Sequence, residues 1–178
     1  MVDRFALGNR TGPAAVAGEP GAVIRQGRDG IEMVNLVWGL APPGEGGRPV
    51  TAIRAEGRRF PSHRCLVPAS EFFTATGNGE QRRRWRFSLA NGDFFYFAAV
   101  WRPRTADWPA AYATLTIPAN LDIAPYRARQ MAVIRRADRM WWLNLAQPEE
   151  QLLQPLPHKS FRVELEDGPP LEAPAFAW

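Results

Sequence analysis

The chain has one cysteine, Cys65, and two histidines, His63 and His158, among its 178 residues. A lone thiol excludes an intrachain disulfide, and these three side chains fall short of an ordinary zinc site, so no metal and no cofactor are expected. Lysine is almost missing: of the 22 basic residues only Lys159 is not arginine. Long apolar runs are lacking too. The longest, from Phe94 to Trp101, is far below the ~20 residues that cross a bilayer, so no membrane partner is expected. No apolar stretch follows Met1-Val2-Asp3-Arg4, so no secretory leader is expected and a reduced, cytoplasmic setting is the default.

What is present is an ordinary globular composition, 46% hydrophobic and 22% charged, which argues against wholesale disorder. The length supports one complete core rather than two, so a single domain over residues 1–178 is expected, with 168–178 as a loose C-terminal extension. Net charge is +4 and the pI is near 10.0. Arginine presents a planar fork of donors that grips phosphate and stacks on rings, and seven tryptophans and ten phenylalanines offer partners for stacking. A GC-rich genome would also enrich arginine, alanine, glycine and proline. Composition alone supports both readings.

Glycine and proline cluster at 12–21, at 42–49 and after Asp167, marking two loops and the extension. The middle of the chain is β-rich. Residues 71–75, 83–89 and 93–101 read as three strands, joined by Gly77-Asn78-Gly79 and by Asn91-Gly92. The second junction predicts a two-residue type I′ hairpin. Alternation along 83–89 sets Arg84 and Arg86 on one face, toward solvent or a polyanion, and Trp85, Phe87 and Leu89 on the other. Further strands are expected at 111–117 and 131–135, and helices over 137–145 and 151–154. The fold class is α+β, with a mostly antiparallel, curved, barrel-like sheet and short helices.

Trp38-Gly39-Leu40 with Pro42, Arg64-Cys65-Leu66 with Pro68-Ala69, and Thr116 with Ala119-Asn120, taken in order, resemble segments of the SOS response-associated peptidase (SRAP) family, which senses abasic sites in single-stranded DNA. Met1-Val2-Asp3-Arg4-Phe5 resembles its Met-Cys-Gly-Arg-Phe start, and Val37-Trp38-Gly39-Leu40-Ala41-Pro42 its Trp-Gly-Leu-x-Pro segment. Ala52-Ile53-Arg54-Ala55-Glu56 falls on Asn-Ala-Arg-x-Glu. Arg64-Cys65-Leu66-Val67-Pro68-Ala69 matches Arg-Cys-Leu-x-Pro-Ala, with Glu71-Phe72-Phe73-Thr74 where Gly-Phe-Tyr-Glu is expected. Thr116-Ile117-Pro118-Ala119-Asn120 matches Thr-x-x-Ala-Asn, and Arg127-Ala128-Arg129 falls on His-x-Arg. The chain is shorter than the family pattern between Arg10 and Gly21 and again at 43–50.

The resemblance implies an N-terminal cysteine that joins its amine and thiol to an abasic aldehyde, served by an asparagine, a glutamate and a histidine. Here those four positions hold Val2, Ala52, Thr74 and Arg127. Valine has no thiol, threonine does not titrate near neutrality and arginine stays protonated, so the proton-moving set is gone and no catalytic residue is assigned. Cys65 reads as a buried hydrophobe, and His63 and His158 as surface or structural residues. Glu71, three residues before Thr74, belongs to the opposite strand face.

The family's DNA-contacting positions fare better. The resemblance assigns Arg4, Arg54, Thr116 and Arg129 to phosphates or the reacting nucleotide and Trp38 to stacking, and Arg127 adds a cation to that surface. The expectation is therefore a degenerate SRAP-like protein that binds single-stranded or abasic DNA without a covalent bond. Two alternatives are a residual enzyme forming a reversible imine through its N-terminal amine, and a protein-interaction module that reuses the fold with its Pro169-to-Trp178 end.

Overall fold

The computed structural model describes residues 4–6 and 14–166, with side chains from residue 16 onward except that of Glu80. The expected C-terminal extension and Val2 lie outside the described residues. Thirteen strands are described: β1 Arg4–Ala6, β2 Ala14–Ala15, β3 Pro20–Gln26, β4 Ile31–Trp38, β5 Ala52–Arg54, β6 Arg64–Ala69, β7 Glu71–Thr76, β8 Arg83–Leu89, β9 Phe95–Arg102, β10 Ala111–Pro118, β11 Arg129–Met131, β12 Val133–Ile134 and β13 Phe161–Glu166. Two short helices, α1 Arg139–Leu143 and α2 Glu149–Leu152, fall near the expected ones, both shorter than or displaced from the sequence pattern.

The strands form two sheets. The smaller has the order β13-β8-β7-β1-β2 and is antiparallel throughout. The larger runs β11-β10-β4-β3-β6-β9-β12, and a further β9–β10 pairing closes the path β10-β4-β3-β6-β9 on itself. That closure makes the sheet barrel-like, because a strand bonded on both edges leaves no open side. Among the described residues only the β10–β4 and β10–β5 pairings are parallel. On that edge β10 meets β4 at Ala111 and Tyr112, then β5 from Thr114 to Thr116.

Alternation explains the core. Phe72 and Thr74 of β7 face inward with Phe87 of β8, and Phe72 stacks on Phe87 with ring centroids 4.8 Å apart. Cys65, Val67 and Ala69 of β6 join Phe95, Phe97 and Tyr112 in the same cluster. A second cluster behind the large sheet packs Leu66, Val100, Leu115 and Ile134 against Trp142, Leu143 and Leu152 of the helices.

Two expectations are corrected. Asn91-Gly92 closes no hairpin, since β8 and β9 lie in different sheets. Both edges of β8 are taken by β7 and β13, and both edges of β9 by β6 on one side and β10 with β12 on the other. The turn is shifted as well: the Gly92 amide donates to Leu89 O at 2.9 Å, and positive φ occurs at Gly92 (+77°) but not at Ala90 or Asn91. The second correction concerns Arg84 and Arg86. They do face away from the core, but β13 lays Glu166 opposite Arg84 and Glu164 opposite Arg86, and both pairs close as ion pairs. The guanidinium groups are neutralised before any polyanion arrives.

Candidate nucleic-acid interface

A cleft of about 500 Å3 opens over the Thr114 and Thr116 face of β10. It is walled by Thr51 and Ala52 before and within β5, by Trp38 at the end of β4, and by the run from Arg127 through Met131. The topology builds it: β4 ends just where β5 takes over the edge of β10, and β11 returns along the other edge.

Arg127 is delivered by the connection between β10 and β11. Asn120 starts a tight turn there. Its Oδ1 accepts from the Ile123 amide at 3.2 Å, and its side-chain amide donates to Leu156 O at 3.2 Å. Asp122 ties the same turn to the incoming β13 by accepting from the Lys159 and Phe161 amides at 2.8 and 3.0 Å. Burial would raise the Asp122 carboxyl, but those two N–H groups, His158 and Asn120 together hold it below its ordinary value. His158 is thus paired with Asp122 at 2.7 Å rather than simply exposed. Tyr126 anchors the end of the turn on the small sheet, 4.6 Å from the Trp85 ring and 5.5 Å from Phe87. The Arg127 amide then donates to Ile123 O at 3.0 Å, which fixes the residue at the rim.

The Arg127 side chain is half-buried, and among the described residues it has no hydrogen-bond or ion-pair partner. Burial lowers its pKa from the ordinary guanidinium value, yet an arginine remains charged. Close by, Gln130 is 1% exposed. Its Oε1 accepts from the Asn120 amide at 2.7 Å, which fixes the orientation of the side chain and leaves the buried Nε2 without an acceptor among the described residues. A donor left like this costs roughly 1–3 kcal/mol. Among the described residues, one wall of the cleft therefore holds an uncompensated cation and an uncompensated amide donor.

Arg129 is different. Its Nη1 and Nη2 grip the two Glu56 oxygens, each at 2.6 Å, and Nη2 also donates to Thr116 O at 2.7 Å. The Arg129 hydrogen bonds pull the Glu56 carboxyl down to about 2. The guanidinium lines the cleft but is already satisfied, and it fixes Thr116 in place. Thr116 Oγ1 accepts from Arg129 Nε at 3.3 Å.

The other expected residues sort as follows. Trp38 forms the floor, 3% exposed, with its indole N–H donating to Thr51 O at 2.9 Å. Arg54, at the end of β5 and in register with Thr116, is exposed beside the cleft and forms no ion pair among the described residues. The backbone of Arg4 pairs with Phe73 in β1, while its side chain lies outside the described residues. Of the replaced quartet, Ala52 and Arg127 share the cleft. Thr74 is 1% exposed on β7, and its hydroxyl has no partner among the described residues. Glu71 turns away from it to within 3.8 Å of Arg86, as alternation requires. Cys65 is fully buried, and that burial pushes its thiol far up. His63 is exposed and edges onto Trp101 at 4.8 Å. Sequence reasoning missed Gln130 and the grip of Glu56 on Arg129. The signal for the first was its place directly after the Arg127-Ala128-Arg129 motif.

A closed, curved strand path with a cleft over β10, lined by arginine, threonine and a buried amide, defines a small β-barrel-like domain. The model of the SOS response associated peptidase (SRAP) family matches residues 15–165, and the chain belongs to that family. The family is linked by that description to the response to DNA damage. The fold is shared with a crystal structure of a protein from Bordetella bronchiseptica, at a TM-score of 0.73 and 19% identity over 93% of this chain and 99% of that one. A protein from Bacteroides thetaiotaomicron matches at 0.70 and 16%, covering 89% of this chain and 78% of that one. A phage-related protein from Bordetella bronchiseptica matches at 0.71 and 14%, covering 93% and 94%. A search of the curated proteins finds no match.

Proposed function

We propose that the cleft binds single-stranded or abasic DNA noncovalently. The observation that supports this most directly is the unsatisfied pair on one wall, the Arg127 guanidinium and the Gln130 amide. A phosphate brings acceptor oxygens to both groups and removes the penalty of leaving them unpaired. Arg54 extends the positive edge, the Thr116 hydroxyl supplies a neutral contact, and Trp38 gives the cleft a flat floor. Arg129 serves this reading by bracing Thr116, since its charge is spent on Glu56. Arg4 belongs to it through the family resemblance alone.

Chemistry at the cleft is limited by what replaces the family's quartet. Ala52 offers no polar group, Thr74 is buried on another strand, and Arg127 moves no proton near neutrality. The protein holds a strand without bonding to it. Fluorescence anisotropy against a single-stranded oligonucleotide tests the reading. In about 50 mM salt, binding is expected, with Arg127→Ala weakening it about tenfold and lowering the salt slope by about one. An absence of binding under these conditions rejects it. Borohydride on an abasic oligonucleotide is expected to trap no adduct; a trapped band would give the protein an imine chemistry instead.

A further inference from the structure

A second cavity of about 430 Å3 lies where β12 runs into α1, lined among others by Tyr96, Arg135, Arg136 and Arg139. We propose that this cavity is a nucleotide-phosphate site of its own, taking the phosphate on Arg135, Arg136 and Arg139 and the attached ring on Phe94.

Three guanidinium groups fall within five residues because the chain leaves β12 at Ile134 and turns at once. The Asp138 amide donates to Arg135 O at 2.9 Å, and this curls Arg136 and Arg139 toward the same hollow. Arg135 and Arg136 are exposed and have no ion pair among the described residues. Arg139 lies flat on Tyr96, with its Cζ 4.0 Å from the ring centre. Its Nε is buried and has no hydrogen-bond partner among the described residues. Burial and the neighbouring Arg136 lower the Arg139 pKa, with Tyr96 and Asp93 offsetting only part of that, so the charge is held at a cost that an anion would relieve.

The one carboxylate on the lining, Asp93, accepts from the Asn91 side-chain amide at 2.9 Å; it attracts Arg139 through space but forms no ion pair with it or with Arg135 or Arg136 among the described residues. Phe94 follows it in sequence, half exposed at 51%, with its ring at the rim. Charge, a stacked guanidinium and a free ring together match a phosphate carried beside an aromatic base. A purely structural cluster would give each arginine its own carboxylate, as Arg84, Arg86 and Arg129 have.

The site stands apart from the cleft, and the test keeps the two separate. Thymidine 5′-monophosphate and an oligothymidylate are titrated while the arginine Nε–H resonances are followed by NMR. The Arg139 resonance is expected to shift on saturation, and equally in Arg127→Ala protein. Thymidine monophosphate should bind more tightly than inorganic phosphate. Arg135→Ala/Arg136→Ala, at two exposed positions, should weaken binding about tenfold. A shift with the oligonucleotide alone identifies a passing strand as the source; a shift with both identifies the nucleotide unit. If neither probe moves the Arg139 resonance, if the double variant binds like wild type, or if inorganic phosphate binds as well as the nucleotide, the proposal is overturned. Loss of oligonucleotide affinity on Arg127→Ala alone bears only on the cleft.

Discussion

Arg127 and Arg129 lie two residues apart and line the same cleft, yet their electrostatic states are opposite. Glu56 makes the difference, meeting Arg129 end-on at 2.6 Å through both oxygens, while among the described residues no hydrogen-bond or ion-pair partner meets the Arg127 side chain. Glu56→Gln keeps the shape of the pair but removes the charge, so the cleft gains a net positive group. Oligonucleotide affinity should rise several-fold, with the salt slope increasing by about one in an anisotropy series. The same pair sets a pH dependence. The Glu56 carboxyl sits at about 2 in the folded protein against an ordinary 4.5. Its contribution to stability is therefore complete above 4.5 and lost as pH falls through about 2. With Glu56 44% exposed, that contribution is at most about 1 kcal/mol. In acid titrations followed by circular dichroism, wild type and Glu56→Gln should differ slightly at pH 5 and converge toward pH 2. From sequence, the identity of both arginines was legible through the family motif. Their unequal charge was not, because it depends on a carboxylate 73 residues away.

At the scale of elements, strands in the middle of the chain were legible, while β3, β4, β6 and β13 were not read as strands and strand partnership was not legible. Periodicity along 83–89 recovers β8 to the residue, and Phe87 and the arginines take their expected faces. The Asn91-Gly92 signal is local, whereas pairing is decided by which edges remain free. The smaller sheet's β13 claims the outer edge of β8, and its alternating Glu164 and Glu166 answer Arg86 and Arg84. Motif glycines carry a clearer meaning. Gly39, directly after Trp38, has φ +139°, and a Cβ there would stand 2.8 Å from the Pro49 Cβ. Its amide donates to Tyr112 O at 2.9 Å, and its carbonyl accepts from the Trp108 indole at 3.0 Å. Gly39→Ala strains the point where β4 hands the edge of β10 to β5. A loss of about 1–3 kcal/mol in urea unfolding is expected, with a parallel loss of oligonucleotide affinity as the cleft wall shifts.

Across the whole molecule, a closed strand path still needs something to hold the helices against it, and one buried polar group does this. Arg64 of β6 is 5% exposed and reaches Glu149 of α2 at 2.8 Å. It also donates to Phe60 O at 2.8 Å and Gln147 O at 3.1 Å, while its Cζ lies 4.5 Å from the Trp142 ring of α1. Glu149 completes the arrangement by accepting from the Phe60 amide at 2.6 Å. The Arg-Cys-Leu segment is therefore a fastening between sheet and helices, far from any reaction, and its arginine differs in kind from the unpaired ones at the cleft. Burial would raise the Glu149 carboxyl, but the Phe60 amide and Arg64 hold it below the ordinary value, so its contribution is present above that value and falls away as pH drops below it. Removing either partner strands a buried charge. Arg64→Ala should cost about 3–5 kcal/mol in urea unfolding. Arg127→Ala, which breaks no hydrogen bond or ion pair among the described residues, should leave the unfolding midpoint nearly where it is. Similar losses from both substitutions would mean that Arg127 is structural, and the positive wall of the cleft would lose its reason for being there.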